Sequence, residues 1–212
     1  MRLTKYEHAC FTVEKDGKLL VVDPGGWTTD LGAPENVVAI VVTHEHPDHF
    51  DVNALGALVS HNPDAVIYAQ ENIVSQLGEA LPNTAVVAGE GIEAGPFKLE
   101  FYGGEHAVIH SDMPIVANLG VMINGTLYYP GDSFTLPERE VNTLALPVSA
   151  PWMKASEAFD FLTAVKPKIV FPTHDAILSD TGKALADRMM PIFAEKVGAT
   201  YQRLAEAIEI NG

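Results

Sequence analysis

The chain has 212 residues, of which 47% are apolar and 19% are charged. That length and balance are typical of a folded domain with a sizeable core, and they exclude a disordered or fibrous protein. The 13 Lys and Arg against 28 Asp and Glu give a formal charge of −15, which would repel a phosphate backbone, so no nucleic-acid partner is expected. No run approaches the roughly 18 apolar residues of a membrane helix, so no membrane partner is expected either.

The single cysteine, Cys10, excludes an internal disulfide framework and a metal site built from cysteine alone. It fits a reducing compartment, and the first residues contain no apolar signal core. The sequence therefore predicts a cytoplasmic protein. Cys10 lies in a strand-like stretch, where inert packing is its expected role.

The first half of the chain predicts strands followed by helices. Asp16-Gly17 is a hairpin turn signal between two strand-like stretches. The nearly continuous apolar run at 37–43 is typical of a strand buried on both faces. Apolar residues at intervals of three and four predict an amphipathic helix at 51–60. The expected elements are strands at 9–14, 18–22, 37–43 and 65–69, and helices at 51–60 and 70–79.

The second half repeats that order of strands and helices. Asn124-Gly125 joins the clearest hairpin of the chain, and Pro191 is expected to kink or break the last helix. Two similar halves packed sheet to sheet predict an α/β fold, a four-layer αββα sandwich, with residues 1–212 as a single domain. The expected strands are 84–88, 92–94, 97–102, 115–123, 126–129, 143–146, 168–172 and a terminal strand within 199–210, and the expected helices are 155–165 and one from about 182.

Ionisable side chains cluster directly after the buried strand, in residues 44–49. His44 and His46 are two apart, so an extended backbone points both rings the same way, whereas Glu45 would point away. Asp48 and a third histidine follow a proline that turns the chain. These donors are enough for two metal positions, and Zn²⁺ favours both imidazole and carboxylate. Packing without a function is the less favoured alternative, because such groups seldom cluster without a charge partner.

The pattern His-x-His-x-Asp-His at 44–49 is the signature of the metallo-β-lactamase superfamily, and this sequence resembles that family along its whole length. Asp23, His106, Asp132 and His174 match four further motif positions of the family, in the expected order and at strand ends. The resemblance implies two mixed β-sheets flanked by helices. It also implies a metal-dependent hydrolase, in which a hydroxide bound between two metal ions attacks a small ester, lactone, amide or phosphoester.

Carried over by position, the resemblance assigns seven metal ligands and two divalent ions. The ligands are His44, His46, Asp48, His49, His106, Asp132 and His174. His44, His46 and His106 would hold one ion, while Asp48, His49 and His174 would hold the other. Asp132 would bridge them, and Asp23 would orient the loop that carries the motif. Zn²⁺ is the metal expected first, with Mn²⁺ and Fe as alternatives.

His8 is a candidate substrate-binding residue. The segment 6–11 is similar to the start of a family branch that resembles ascorbate-6-phosphate lactonase, although Glu7 stands where glycine is usual. His8 is therefore expected at the rim of the metal site, in contact with substrate or with a group that supports the metal ligands. A strand histidine with ordinary hydrogen bonds is an equal alternative. Trp27, after a Gly-rich turn, is a weaker candidate for a pocket wall.

Four candidate residues are assigned roles in catalysis or substrate binding. Asp48 is expected to position the attacking water, and His110 or Lys154 to help a developing oxyanion, with a solvated loop histidine as the alternative for His110. Trp152 and Lys154 lie in the loop 147–154 before a predicted helix. Since loops at strand ends concentrate binding residues, both are expected to line the substrate pocket, with a helix cap as the alternative.

Two other functions are kept as alternatives. Some relatives use iron in the same ligand set for oxygen or sulfur chemistry, so an iron-dependent redox enzyme is the second hypothesis. A binding module that retains metal as a structural staple is the third, although structural sites normally close at four ligands. The expected partner is a small anionic or carbonyl-containing molecule. The lactonase-like relatives often assemble, so a homo-oligomer is left open.

Overall fold

Two mixed β-sheets pack face to face, and two helices cover the outer face of each. The computed structural model describes residues 1–211. The strands, in chain order, are β1 (Arg2–Lys5), β2 (Phe11–Lys15), β3 (Lys18–Val22), β4 (Val37–Val41), β5 (Val66–Ala69), β6 (Asn83–Ala85), β7 (Gly91–Ala94), β8 (Phe97–Glu105), β9 (Ala117–Ile123), β10 (Leu127–Tyr129), β11 (Thr143–Pro147), β12 (Ile169–Thr173), β13 (Thr200–Tyr201) and β14 (Ile208–Glu209). The helices are α1 (Val52–His61), α2 (Glu71–Leu77), α3 (Ala155–Val165) and α4 (Asp180–Lys196). Within the described chain, no helix combines the length and the apolar character that crossing a membrane requires.

The strand directions bring several loops to one edge of each sheet. The first sheet has the order β14-β1-β2-β3-β4-β5-β6, and the second has the order β13-β12-β11-β10-β9-β8-β7. Strands β3 to β6 run parallel, and so do β10 to β13. Strand β8 runs in the direction of β10, because both are antiparallel to β9. Strand β1 likewise runs in the direction of β3. Loops at the carboxyl ends of such strands are the usual place for binding residues.

Three clusters of buried apolar side chains lie between the four layers of the fold. The central cluster fills the space between the sheets, where the rings of Phe11 and Phe171 meet edge to face at 6.0 Å. A second cluster packs α3 and α4 against the second sheet through side chains such as Met190. The third packs α1 and α2 against the first sheet through side chains such as Leu55. The predicted four-layer αββα sandwich is confirmed.

Two expected elements differ from the structure. Helix α4 continues through Pro191, so of the two effects expected there, a kink or a break, the break does not occur. A proline inside a helix costs about 3 kcal/mol, but Ala186, Met190 and Ala194 bury one face of α4 in the second cluster, and this packing outweighs that cost. The terminal strand expected within 199–210 is instead two strands of two residues, one in each sheet.

Candidate metal centre

The loop after β4 carries the histidine-rich motif, and contacts at its end and with the turn after β3 fix its position. It ends at Asp51, whose Oδ1 accepts a hydrogen bond from Ala54 N at 2.8 Å and so starts α1. The turn after β3 packs directly against this loop. A Cβ at Gly25 would lie 2.0 Å from the carbonyl oxygen of Asp48, so only glycine permits this approach of the two backbones.

Asp23 connects the motif loop to the end of β3. Its carboxylate is wholly buried, and Oδ1 accepts from Thr43 N at 2.8 Å. Its Oδ2 accepts from Thr43 Oγ1 and from His49 Nδ1, each at 2.7 Å. These bonds agree with the orienting role that the resemblance implies for Asp23.

Eight ionisable side chains form two adjoining groups of four. Within each group, one ligand atom per residue lies within 4.8 Å of the others. The first group is His44, His46, His106 and Asp132, and the second is His8, Asp48, His49 and His174. The structure therefore brings all seven predicted ligands together, and His8 lies among them.

Asp132 lies between the two groups. Its Oδ2 is 3.4 Å from His106 Nε2 and 2.9 Å from His174 Nε2. Its Oδ1 is 3.3 Å from His49 Nε2. One buried carboxylate thus reaches imidazoles of both groups, which is the position that a residue shared by two metal ions requires.

Asn118 positions Asp132, and sequence reasoning missed it. Asn118 Oδ1 accepts from Asp132 N at 2.9 Å, and Asn118 Nδ2 donates to Pro130 O at 2.9 Å. The intervening Gly131 has a left-handed backbone, and a Cβ there would lie 2.3 Å from Asn118 Oδ1. The only signal in the sequence is a single amide inside the otherwise apolar strand β9, which does not say what the amide binds.

Four of the imidazoles donate their Nδ1 hydrogen away from the centre. The pairs are His44 with Thr43 Oγ1 at 3.1 Å, His49 with Asp23 Oδ2 at 2.7 Å, His106 with Ala107 O at 2.5 Å and His174 with Ser149 O at 2.6 Å. This tautomer leaves each Nε2 lone pair free to face the centre, as in metal-ligating histidines. Within the described residues, four of the facing atoms are buried without a hydrogen-bond partner. They are Nε2 of His49, His106 and His174 and Oδ1 of Asp132.

The electrostatics of the centre favour positive charge between the carboxylates. Burial opposes the ionised form of Asp132, but the His49, His106 and His174 imidazoles hold its pKa well below the usual range. Burial likewise lowers the pKa of His174, yet the carboxylates of Asp132 and Asp48 beside its Nε2 raise it overall to about 10. The carboxylates that favour a proton on His174 would equally attract a metal ion to its Nε2. Burial and the neighbouring imidazoles hold the pKa of His44 well below its usual range, so that ring is neutral.

These residues fit a pair of divalent metal ions. Neutral imidazole nitrogens and carboxylate oxygens are the donors that Zn²⁺, Mn²⁺ and Fe accept. A buried polar atom without a partner costs about 1–3 kcal/mol, and ions between the two groups would give the unpartnered Nε2 and Oδ1 atoms their ligand. The donor atoms, the tautomers of the four histidines and the burial of the unpartnered atoms all agree with bound metal ions.

His8 lies behind Asp48, not at an open rim as expected. Its ring is wholly buried, and its Nε2 is 2.9 Å from Asp48 Oδ2. Because His8 Nδ1 accepts from Ala176 N at 3.4 Å, Nε2 carries the hydrogen and donates it to Asp48. Trp27 covers the His8 ring edge-on, with 4.6 Å between ring centroids, and is itself 44% exposed. His8 is thus placed to orient a carboxylate, with no free lone pair for an ion.

Trp152 lies nearer to the centre than a pocket wall would. Its Nε1 donates to Asp132 Oδ2 at 2.8 Å, and its ring packs against Phe134 with 5.2 Å between centroids. Lys154 is exposed and directly precedes α3. Its backbone N donates to Glu157 Oε2 at 2.6 Å, which matches the helix-cap alternative for this residue.

His110 belongs to neither group. Its side chain is 63% exposed, and its Nδ1 accepts from Asp112 N at 3.1 Å. Glu45 points away from the groups, as strand alternation predicted, and accepts from Asn72 Nδ2 on α2 at 2.7 Å. A catalytic role for His110 stays a prediction.

Comparisons with known proteins agree with this geometry. The model of the family described as the beta-lactamase superfamily domain matches residues 2–174. Protein Rv0786c of Mycobacterium tuberculosis is 37% identical over 190 residues, which cover 87% of this chain and 89% of that relative. A metal-dependent hydrolase of Aeropyrum pernix is 29% identical over 202 residues, covering 82% of this chain and 81% of that relative.

The fold also resembles a solved structure. Igni18, a metallo hydrolase of the archaeon Ignicoccus hospitalis, superimposes with a TM-score of 0.74 at 19% identity, over 99% of each chain. At that identity the likeness concerns the fold alone. The predictions of a metallo-β-lactamase fold and of an enzyme of the metal-dependent hydrolase class are confirmed at the level of the family. The chain belongs to the beta-lactamase superfamily.

Proposed function

We propose that this protein is a hydrolase that holds two divalent metal ions and cleaves a small ester, lactone, amide or phosphoester. The observation that carries the proposal is the position of Asp132, whose two oxygens reach imidazoles of both four-residue groups. Seven nitrogen and oxygen donors are more than a single structural ion would need, since such a site normally closes at four. The donor set therefore suits two adjacent ions, the arrangement of dinuclear hydrolytic centres, which supports catalysis over a structural staple.

The protein's own residues hold and orient the reacting groups. Metal ions bound there would lower the pKa of a water molecule towards neutrality and polarise the bond to be cleaved. Asp48 is the candidate for orienting that water, because its side chain is 15% exposed against 3% for Asp132. The indole of Trp152 donates to Asp132 Oδ2 and so restricts the shared carboxylate to one orientation.

Zinc and a cytoplasmic location are parts of this proposal. Zn²⁺ is favoured because the donor set consists of imidazole nitrogens and carboxylate oxygens, with tautomers already fixed by Nδ1 hydrogen bonds. The single cysteine, Cys10, is free and buried, which fits a reducing compartment.

The proposal is tested by metal analysis and turnover on the purified protein. The expected result is about two equivalents of Zn²⁺ per chain and hydrolysis of at least one substrate from an ester, lactone, amide and phosphoester panel. His46→Ala removes a partly exposed candidate ligand and is expected to lower kcat/KM by about 100-fold or more. His61→Ala is the matched control, because His61 is an exposed histidine at the end of α1.

Two results would contradict the proposal. Unchanged turnover in His46→Ala would remove the metal centre from the reaction. Bound iron with oxygen-dependent turnover and no hydrolysis would favour the redox alternative, whose absorption spectrum also differs from that of a colourless zinc protein.

A further inference from the structure

We infer that the substrate of this centre carries an apolar acyl or aryl group, which the loops around the centre receive. This inference rests on the proposed function and narrows its substrate class. It concerns six loops, called the rim loops here, that leave strands at the edge where the candidate ligands meet. They are residues 23–36, 42–51, 106–116, 130–142, 148–154 and 174–179.

Exposed apolar side chains are concentrated on the rim loops. Ten large apolar residues of the described chain are exposed, and six of them lie on these loops. The six are Trp27, Val108, Met113, Ile115, Leu136 and Ile177, and the other four are Val52, Val87, Leu185 and Ile192. Single exposed apolar residues are ordinary on a protein surface, but apolar residues on the loops that carry the candidate ligands are placed to contact a molecule bound at the centre.

Two tryptophans of the rim loops contact histidines of the centre. Trp27 lies edge-on against the His8 ring at 4.6 Å between centroids, and 44% of it stays exposed. Trp152 contacts the other four-residue group, with 5.9 Å between its ring centroid and that of His106, and it lies 5.2 Å from the Phe134 ring. Each four-residue group thus has an indole against one of its imidazoles, so a substrate bound at the centre would lie near aromatic surface.

The charges of the rim loops argue against a strongly anionic substrate. The six loops, all within the described part of the chain, contain two basic residues other than histidine, Arg139 and Lys154. Arg139 Nη1 donates to Glu100 Oε1 at 2.9 Å and is thereby paired. Metal ions at the centre would engage the group that is cleaved, but a further anionic group, such as the phosphate of a sugar phosphate cleaved elsewhere, normally needs several Arg, Lys or backbone donors. The small anionic substrate expected from the sequence is therefore disfavoured, and a neutral ester or lactone is favoured.

The same charges disfavour a membrane or a second copy of the chain as the occupant. Exposed carboxylates such as Asp30, Asp112 and Glu138 are interleaved with the apolar residues on these loops. They would repel an anionic lipid surface, and a second chain with a formal charge of −15 would be repelled as well. A small neutral molecule avoids both costs.

A neutral apolar dye, N-phenyl-1-naphthylamine, tests the inference without depending on turnover. Its fluorescence is titrated with the zinc-loaded protein and with two double variants. Met113→Ser with Ile177→Ser changes two rim loops, and Leu185→Ser with Ile192→Ser changes two exposed apolar residues of α4 as the matched control. We expect the dissociation constant to rise about tenfold in the rim variant, from the lost apolar contact, and to stay unchanged in the control. Equal binding by both variants would overturn the inference.

A series of p-nitrophenyl esters with acyl chains of two, four and eight carbons gives the second arm, with p-nitrophenyl phosphate beside it. The expected kcat/KM rises several-fold from the shortest to the longest acyl chain and flattens in the rim variant. Equal rates along the series, or a preference for the phosphate, would overturn the inference while the hydrolase proposal stands.

Absence of any hydrolysis with rim-dependent dye binding would contradict the hydrolase proposal and support an apolar ligand. A dimer that dissociates in the rim variant on gel filtration would identify a second copy as the occupant, against the inference.

Discussion

His49 donates its Nδ1 hydrogen to Asp23 Oδ2 over 2.7 Å, and both side chains are wholly buried. This bond fixes the tautomer in which His49 Nε2 has a free lone pair. Asp23→Asn keeps the shape of the side chain but replaces one acceptor oxygen with an amide donor, so either His49 Nδ1 or Thr43 N loses its acceptor and the position of His49 is no longer fixed from both sides. We expect metal affinity to fall about 10–100-fold, measured by competition with a chromophoric chelator.

Asp64→Asn is the control for that change, because Asp64 is exposed and far from the groups in sequence. Its metal affinity should equal that of the parent protein. The far-ultraviolet circular dichroism of both variants should be unchanged, since asparagine accepts the left-handed backbone of Asp23. Equal metal affinity in the Asp23 and Asp64 variants would show that the hydrogen bond between His49 and Asp23 does not contribute to metal binding.

The second prediction concerns His8, whose Nε2 hydrogen reaches Asp48 Oδ2 at 2.9 Å. His8→Asn tolerates the left-handed backbone at this position but is too short to reach Asp48. One of the two metal equivalents should then be lost or bound at least tenfold more weakly. His8→Gln can still donate to Asp48 and should recover most of that affinity. Metal titration followed by calorimetry separates the two steps, and two tight equivalents in His8→Asn would contradict the assignment.

The third prediction concerns Trp152 and its hydrogen bond to Asp132 Oδ2 at 2.8 Å. Trp152→Phe removes the donor and keeps an aromatic ring beside Phe134. A hydrogen bond to a charged group contributes about 1.5–3 kcal/mol, so kcat/KM on the best ester should fall about tenfold or more. Phe134→Leu is the comparison, since it changes the packing and leaves the donor in place. An equal loss in both variants would assign the effect to packing.

Several features of the fold and centre were readable from the sequence because they are local. The alternation and turn signals around Asp16-Gly17 and Asn124-Gly125 correspond to the β2–β3 and β9–β10 hairpins. The spacing of His44 and His46 and the apolar run before them placed the motif at the end of β4. Each of these signals depends on residues within a few positions of one another.

The features that were missed depend on contacts between distant residues. Asn118 acts on Asp132 across 14 positions, and Trp152 reaches the same carboxylate across 20. Strand β1 is short and pairs with β14 at the opposite end of the chain, so neither shows a periodicity of its own. The sequence around Pro191 did not show that α4 continues, because the buried face of α4, which outweighs the local cost of the proline, depends on tertiary packing.

The fourth prediction concerns metal removal. Because binding atoms of His49, His106, His174 and Asp132 are buried without other partners, ions that bind the folded state should stabilise it. At a free metal concentration of 100 times the dissociation constant, one site adds about 2.7 kcal/mol. For a chain of this length, we expect chelation to lower Tm by about 5–10 °C. Differential scanning calorimetry with and without a chelator measures this. His46→Ala should show a smaller difference, and an equal one would contradict the assignment.

The last prediction concerns the pH dependence of stability through Lys5. Burial lowers the pKa of Lys5 to about 8, against about 10.4 in an unfolded chain. Its Nζ donates to the backbone oxygens of Tyr6 and His8. Between these two pKa values the unfolded state holds the proton and the folded state does not, so this group makes the free energy of unfolding rise with pH.

Lys5→Met removes that dependence, and Lys18→Met is the matched control because Lys18 is exposed at the start of β3. Urea unfolding of the zinc-loaded proteins at pH 7.5, 8.5 and 9.5 measures the free energy. The parent protein should gain on the order of 1–2 kcal/mol relative to Lys5→Met across this range. The difference between the parent and Lys18→Met should stay constant. A Lys5→Met difference that is flat with pH, or that moves in favour of the variant, would show that Lys5 stays protonated in the folded protein throughout.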